Sequence, residues 1–145
     1  MTWKRLLVCT FLAFAVIGLG ACGSDSGETV NVTAGDYSLK PDSTSVPAGD
    51  VTFKLKNGGG FVHELVVVKV ASASDLPTKP DGEVDEDKIP EPERMGEVED
   101  VDPGKTKSLK LKLEAGKYVL FCNRLDGTTS HFDKGMHVDF TVTAA

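Results

Sequence analysis

The sequence predicts an all-β protein, a Greek-key antiparallel β-sandwich with one long acidic loop insertion. Two observations lead to this prediction. Apolar residues recur at every second position in several short segments, which is the period of a strand with one buried face. Turn-forming residues separate those segments at residues 47–50, 57–60, 102–104 and 114–116. Short strands at this spacing pair into sheets and pack face to face.

Three segments alternate between apolar and polar residues. Their apolar positions are Val30, Val32 and Ala34, then Val51, Phe53 and Leu55, and later Leu109, Leu111 and Leu113. Residues 65–70 and 118–121 are denser in apolar side chains, as is typical of strands in the interior of a sandwich. In the last strand Met136, Val138, Phe140 and Val142 share one face, and His137 lies on the other. We therefore expect Met136 to point into the core and His137 to point away from it.

Residues 72–104 interrupt this strand pattern. They contain 12 acidic residues and five prolines within 33 positions. Loops of this length inside a compact domain are usually functional or partly disordered. The composition favours a solvated acidic excursion with one helical turn near residues 85–89. A docking surface for a protein partner is the alternative.

The N-terminus has the order of a secretory signal. Lys4 and Arg5 precede an apolar stretch, residues 6–19, which is shorter than a membrane span of about 20 residues. Residues 19–22 resemble a bacterial lipobox, in which the cysteine, here Cys22, is lipidated and becomes the mature N-terminus. We expect a lipoprotein signal peptide at residues 1–21, a flexible tether at 22–28 and one folded domain at 29–145. An ordinary signal peptide cleaved near Ala21 is the alternative.

This arrangement predicts an extracytoplasmic protein, lipid-anchored on the periplasmic or cell-surface side of the membrane. The mature chain of 124 residues carries 14 basic and 22 acidic residues, a net charge of −8. That balance argues against nucleic acid as a partner and against binding to an anionic membrane surface, so the membrane contact is through lipid only. It favours a partner with a basic surface.

The cysteine count points to a metal. Cys9 leaves with the signal peptide and Cys22 would carry lipid, so Cys122 is the only cysteine expected in the folded domain. A single exported thiol cannot form an internal disulfide, and an exposed one would be open to oxidation. A buried, inert cysteine is one alternative, and a Cys22–Cys122 bridge is possible only if Cys22 escapes lipidation. Metal ligation explains the lone cysteine better.

Four side chains form a candidate metal site: His63, Cys122, His131 and Met136. Two imidazoles and a thiolate with a weak thioether are the ligands of a mononuclear blue-copper centre that cycles between Cu(I) and Cu(II). Zinc prefers four strong ligands, and a thioether is a poor fourth. Taken singly, each residue has a structural explanation, such as a core histidine or a methionine that fills the core. Their combination favours copper.

The motifs around these residues resemble those of cupredoxins. Residues 116–142 resemble the C-terminal motif of that family, residues 57–67 its first-histidine strand, and residues 46–53 the preceding hairpin. The resemblance covers nearly all of residues 29–145 and is closest to plastocyanin/azurin-like type 1 blue-copper proteins, here in a bacterial lipoprotein form. It implies a cupredoxin-like fold and one copper ion.

The resemblance also assigns the ligands and the function. It makes His63, Cys122 and His131 the equatorial ligands and Met136 the axial ligand. It implies a monomeric electron carrier between redox proteins, and no enzyme, because four protein ligands leave no open position for a substrate. A copper-trafficking or storage lipoprotein and a copper-free binding module are the alternatives.

The sequence departs from the family between Cys122 and His131. Eight residues separate the two, more than cupredoxins usually have. This enlarged loop is expected to affect the reduction potential, solvent access and partner surface more than metal binding.

Overall fold

The computed structural model describes residues 27–144 and confirms the β-sandwich. The predicted signal peptide and residues 22–26 of the tether, which include Cys22, lie outside the described residues. The first strand begins at Glu28, the last residue of that tether. The strands are β1 (Glu28–Gly35), β2 (Ser38–Pro41), β3 (Ser45–Pro47), β4 (Gly49–Asn57), β5 (His63–Val68), β6 (Arg94–Val101), β7 (Thr106–Leu113), β8 (Gly116–Phe121), β9 (Leu125–Asp126), β10 (Thr129–Ser130) and β11 (His137–Thr143). Three short 3-10 helices are η1 (Ala73–Asp75), η2 (Glu86–Lys88) and η3 (Glu91–Glu93).

Two sheets form the sandwich. One has the strand order β2-β1-β4-β7 and the other the order β3-β11-β8-β5-β6, while β9 and β10 form a separate hairpin. Most strand pairs are antiparallel, as predicted, but the sheets are mixed, because β1 pairs with β4 and β3 pairs with β11 in parallel. The alternation of apolar residues shows which face of a strand is buried, but it does not indicate the direction of the neighbouring strand.

The main core lies between the two sheets. Every second residue of β1 is buried there (Val30, Val32 and Ala34), as the alternation predicted. Phe53 of β4 and Phe140 of β11 meet across the core with ring centroids 5.5 Å apart and an edge-to-face angle of 69°. Such edge-to-face pairs add to the free energy gained by burial.

The expectation of a solvated excursion over residues 72–104 is wrong, because residues 73–89 form a second apolar layer and residues 94–101 form the edge strand β6. The helical turn near residues 85–89 is confirmed as η2. Val84 and Ile89 are buried and pack with Phe121 and Phe132 in a second apolar cluster on the outer face of the five-stranded sheet. This cover explains why all six residues of β5 are buried. Neither face of β5 is exposed to solvent, because one face packs against the other sheet and the opposite face packs against this second cluster.

The edges of the sheets are irregular. β6 makes two register shifts against β5, and Asp100, in the first of them, has the left-handed φ of 50°. Lys107 on β7 donates to the carbonyl of Glu99 on β6 at 2.8 Å, so these two edges lie side by side. The other two edges are β2 and β3, of four and three residues, which end in Pro41 and Pro47. Within the described chain, no helix is long and apolar enough to cross a membrane.

Candidate metal centre

The predicted ligands come from chain segments that meet at one end of the sandwich. His63 is the first residue of β5, and Cys122 directly follows β8. These two strands are antiparallel neighbours, so the start of one lies beside the end of the other. His131 directly follows β10, and Met136 directly precedes β11. The topology therefore brings residues that lie far apart in the sequence to the same end of the sheet.

Three of these side chains form a tight triangle. The Cys122 Sγ lies 3.4 Å from the His131 Nδ1 and 3.8 Å from the His63 Nδ1, and the two Nδ1 atoms are 3.2 Å apart. The three atoms form the one group of His, Cys and acidic ligands with metal-binding spacing among the described residues. A point equidistant from the three atoms lies about 2.0 Å from each, close to the usual length of nitrogen–metal and thiolate–metal bonds.

The outer ring nitrogens of the two histidines lack hydrogen-bond partners within the described chain, and the inner ones face the centre of the triangle. His63 is 0% exposed and His131 is 1% exposed, and the Nε2 atom of each has no hydrogen-bond partner among the described residues. Buried polar atoms normally have such partners. The Nδ1 atoms face only each other and the sulfur. A metal ion between them would satisfy both Nδ1 atoms and the thiolate, so the donor set fits a metal.

Burial keeps the metal-free cluster neutral. Loss of hydration, together with the neighbouring His131, lowers the pKa of His63 to about 4. Burial also lowers the pKa of His131 and raises the pKa of the Cys122 thiol to about 11. The imidazoles are thus free to donate lone pairs, whereas the thiol must release its proton when a cation binds. Metal affinity should therefore rise with pH.

Met136 is tied to both neighbouring ligand positions by its backbone. Its N–H donates to the carbonyl of His131, and its own carbonyl accepts from the N–H of Cys122, each at 3.0 Å. The Met136 side chain is fully buried in the cluster that contains Cys122. His137 is exposed, and its ring packs on Phe132 with centroids 4.9 Å apart. The predicted orientations of Met136 and His137 are confirmed.

Two aromatic rings that the sequence did not indicate cover His131. Tyr37 meets the imidazole edge to face with centroids 5.4 Å apart, and the Phe61 ring lies 6.0 Å from it. Asn57 is fully buried and donates from Nδ2 to the carbonyl of Phe61 at 2.7 Å, which fixes the turn before β5. Two half-buried aromatic side chains therefore pack on the His131 imidazole.

The enlarged loop between Cys122 and His131, residues 123–130, is a short hairpin. It is built from β9 and β10 around Gly127, whose φ is 60°. At its base the N–H of His131 donates to the carbonyl of Arg124 at 2.9 Å. A hairpin returns the chain to its starting point, which is why eight intervening residues still leave the sulfur and the imidazole in contact. We call residues 123–130 the ligand loop.

Glu64 is a further residue of the site that the sequence analysis missed. It follows His63, is 7% exposed, and accepts a 2.9 Å hydrogen bond from the N–H of Asn123, the residue after Cys122. Burial raises the pKa of its carboxyl to about 7. No local pattern marks this contact, because the two residues are 59 positions apart. Glu64 also lines an acidic groove. The carboxylates of this groove belong to Glu64, Glu83, Glu86, Glu97 and Glu99.

The structure is a two-sheet β-sandwich with a buried His–Cys–His triangle at one end that could hold a metal ion. Comparison with known proteins shows which family this chain belongs to. The model of the cupredoxin-like domain family matches residues 6–131, which include all three residues of the triangle. The chain therefore belongs to the cupredoxin-like domain family. A comparison with curated proteins finds no match.

Solved structures show the same fold. An auracyanin from Roseiflexus castenholzii is 21% identical with a TM-score of 0.61, over 81% of this chain and 98% of that one. Auracyanin A, a "blue" copper protein from Chloroflexus aurantiacus, is 19% identical with a TM-score of 0.55, over 79% and 98%. Rusticyanin from Thiobacillus ferrooxidans is 18% identical with a TM-score of 0.55, over 81% and 79%. At these identities the likeness establishes the fold.

Proposed function

We propose that the protein is an electron carrier with one type 1 copper ion, held by His63, Cys122 and His131 and tuned by Met136. The observation that supports this most strongly is the buried triangle of two Nδ1 atoms and one sulfur. Two imidazoles and a thiolate would hold the ion, and the buried thioether of Met136, in the same apolar cluster as Cys122, would bind it weakly, which is the donor set of a blue-copper centre. Copper supplies a reversible one-electron couple at such a site.

The protein would allow rapid electron transfer to and from this copper ion. All four proposed ligands are buried, so little water has to reorganise when the charge on the site changes. The backbone bonds through Met136 tie the segments that carry Cys122 and His131 to each other. We propose no enzymatic activity, because four protein ligands leave no open position for a substrate. The Tyr37 and Phe61 rings, which pack on His131, are the proposed path for electrons.

A copper-trafficking or storage role would use the same ligands but would require easy metal exchange. To separate the two functions, we would measure electron self-exchange by NMR line broadening and copper loss to a strong chelator. A carrier is expected to show rapid self-exchange and slow copper loss. Slow self-exchange with rapid copper loss would favour delivery of copper, and failure to bind copper at all would favour a copper-free binding module.

The fourth ligand can be tested by two neighbouring substitutions. We expect Met136→Leu to keep the copper and its colour but to change the reduction potential, because a weak axial ligand tunes the site more than it holds the ion. His137→Ala is the matched control and should leave the potential unchanged, since His137 is exposed. Voltammetry on both variants measures this. An unchanged potential in Met136→Leu together with loss of colour in His137→Ala would contradict the assignment.

We propose that the redox partner has a basic surface and docks beside the acidic groove. Because the groove borders Asn123, Arg124 and Leu125, a partner bound there would lie next to the ligand loop. A small cationic cobalt(III) complex can stand in for such a partner, because it oxidises the reduced protein and is attracted by the same carboxylates. Glu97→Gln/Glu99→Gln should therefore slow this oxidation and weaken the salt dependence of its rate. Stopped-flow kinetics at several salt concentrations would measure this.

The control for this charge change is Glu28→Gln/Asp50→Asn. It also removes two negative charges, but at the starts of β1 and β4, away from the site. If it slowed the cationic oxidant equally, net charge and not the groove would account for the effect.

We further propose that the mature protein is a monomer, anchored through a lipidated Cys22 on the extracytoplasmic side of the membrane. The order of charged, apolar and small residues before Cys22 supports this. Cell fractionation of Cys22→Ala is the test. Release of the variant into the soluble fraction is expected, and continued membrane association would contradict the anchor.

A further inference from the structure

We propose that residues 78–86 are a clamp that grips both ends of the ligand loop and so positions Cys122 and His131. This inference rests on the proposed copper function for its consequence, but the clamp itself consists of contacts among described residues. It gives a specific role to part of the acidic segment. Asn123 and Ser130 are the two positioning residues, since Asn123 follows Cys122 and Ser130 precedes His131.

The first set of clamp contacts is made by the Asn123 side chain. Its Oδ1 accepts a 2.6 Å hydrogen bond from the N–H of Val84, and its Nδ2 donates to the carbonyl of Val84 at 3.0 Å. The Nδ2 also donates to the Glu86 carboxylate at 2.8 Å. The amide therefore pairs with one residue of the clamp in both directions, as a neighbouring strand would. Because the Asn123 backbone N–H is held by Glu64, the residue after Cys122 is fixed from two sides.

The second set of clamp contacts is made by the Ser130 side chain. Its Oγ donates to the carbonyl of Gly82 at 2.8 Å and accepts from the N–H of Asp133 at 3.1 Å. Gly82 has a φ of 84° and lies close to Ser130, so that a Cβ atom placed there would stand 3.2 Å from the Ser130 Cβ and 2.9 Å from the Asp133 Cβ. Only a glycine allows the clamp to approach the residue before His131 this closely.

The clamp is itself well ordered by local contacts. Thr78 and Val84 form a β-bridge, and the N–H groups of Lys79 and Gly82 close the turn between them through bonds of 2.8 and 3.0 Å. Val84 is 0% exposed and packs in the apolar cluster that contains Phe121 and Phe132. Phe121 precedes Cys122 and Phe132 follows His131. The clamp is thus hydrogen-bonded to one neighbour of each proposed ligand and shares an apolar cluster with the other neighbour.

A clamp on both ends counteracts the length of the ligand loop. A longer loop leaves more backbone conformations open between its two ends. Hydrogen bonds to Asn123 and Ser130 remove that freedom at the two residues where it would move the sulfur and the imidazole. The acidic segment would therefore keep the site rigid while the loop tip at residues 125–128 stays exposed for a partner.

The test uses amide hydrogen exchange in the metal-free protein, followed by NMR. Asn123→Ala removes three hydrogen bonds and should speed exchange of the His131 amide and its neighbours by about tenfold or more, at roughly a factor of a few per bond. Ser130→Ala should have a smaller effect in the same direction. Asn123→Asp keeps the acceptor for Val84 but places a carboxylate oxygen against the Val84 carbonyl and the Glu86 carboxylate, so it should speed exchange at least as much as Asn123→Ala. In copper-loaded protein the same order is expected for the rate of copper loss to a chelator.

Matched controls separate clamping from general destabilisation. Gly82→Ala should act like Asn123→Ala, whereas Gly104→Ala has a similar backbone conformation, with a φ of 76°, but no atom within 4 Å of the added Cβ. Gly104→Ala should therefore leave exchange in the ligand loop unchanged. Equal effects of the two glycine variants, or wild-type exchange in Asn123→Ala, would overturn the clamp. Failure of copper to bind would overturn the proposed function but leave the metal-free exchange test intact.

Discussion

Oxidised, copper-loaded protein is expected to be intensely coloured, and Cys122→Ser is expected to be colourless. The colour of a blue-copper site comes from charge transfer between the cysteine thiolate and Cu(II), so an alcohol in place of the thiol removes it completely. Cys122 is 0% exposed and its Sγ contacts both imidazoles, so it is the sulfur in position to form that bond. Visible absorption and the cupric EPR spectrum measure the effect.

The control for this prediction is a check that the Cys122→Ser variant keeps its fold. Serine is close in size to cysteine, and far-ultraviolet circular dichroism should show the same β-sheet content in the variant. Met136→Leu is a second control, because it changes a neighbouring buried residue and should retain the colour. A colourless wild-type protein with Cu(II) bound would exclude a type 1 site and would favour the trafficking role.

Ile89→Ala is expected to lower the free energy of unfolding by about 2 kcal/mol or more, the usual cost of truncating a buried aliphatic side chain. Ile89 lies in the acidic segment, yet it is 4% exposed and packs in the cluster on the outer face of the five-stranded sheet. A residue in a solvated loop would show almost no effect. Urea unfolding of the metal-free protein measures the difference.

Asp87→Ala provides the comparison within the same segment. Asp87 is exposed, two residues from Ile89, and should change the unfolding free energy by no more than about 0.5 kcal/mol. If both variants matched the wild type, the second apolar layer would not contribute to stability. If both destabilised the protein equally, the cause would lie in the local backbone and not in burial.

The main strands and the meeting of His63, Cys122 and His131 could be predicted from sequence, because their signals are local or chemically rare. Alternation in β1, β4 and β7 marks one buried face in each strand. The strand pattern also distinguished Met136 from His137, since a shift of one residue would turn Val138 and Phe140 outward. The only cysteine of the described chain, with two histidines in family order, carried the rest of the site prediction.

The features that were missed depend on contacts between distant residues. In β6 the partly buried Met95 and Val98 and the buried Val101 are spaced by three, because two register shifts interrupt the alternation. That spacing does not resemble a strand. Tyr37 reaches His131 across 94 positions, and nothing around it marks an aromatic cover. The many prolines and acidic residues of the segment 72–104 indicated a solvated loop, so its few buried side chains were not predicted.

The edges of the two sheets have a consequence for how the protein behaves when many copies are crowded together. An open strand edge can pair with the edge of another copy, and such pairing leads to aggregation. Here β2 and β3 are short and end in proline, and the register shifts of β6 interrupt its regular hydrogen-bonding edge. β7 carries Lys107, Lys110 and Lys112 along its length. We therefore expect repeated, brief collisions between copies without strand exchange, so that the domain would tolerate dense packing on a surface.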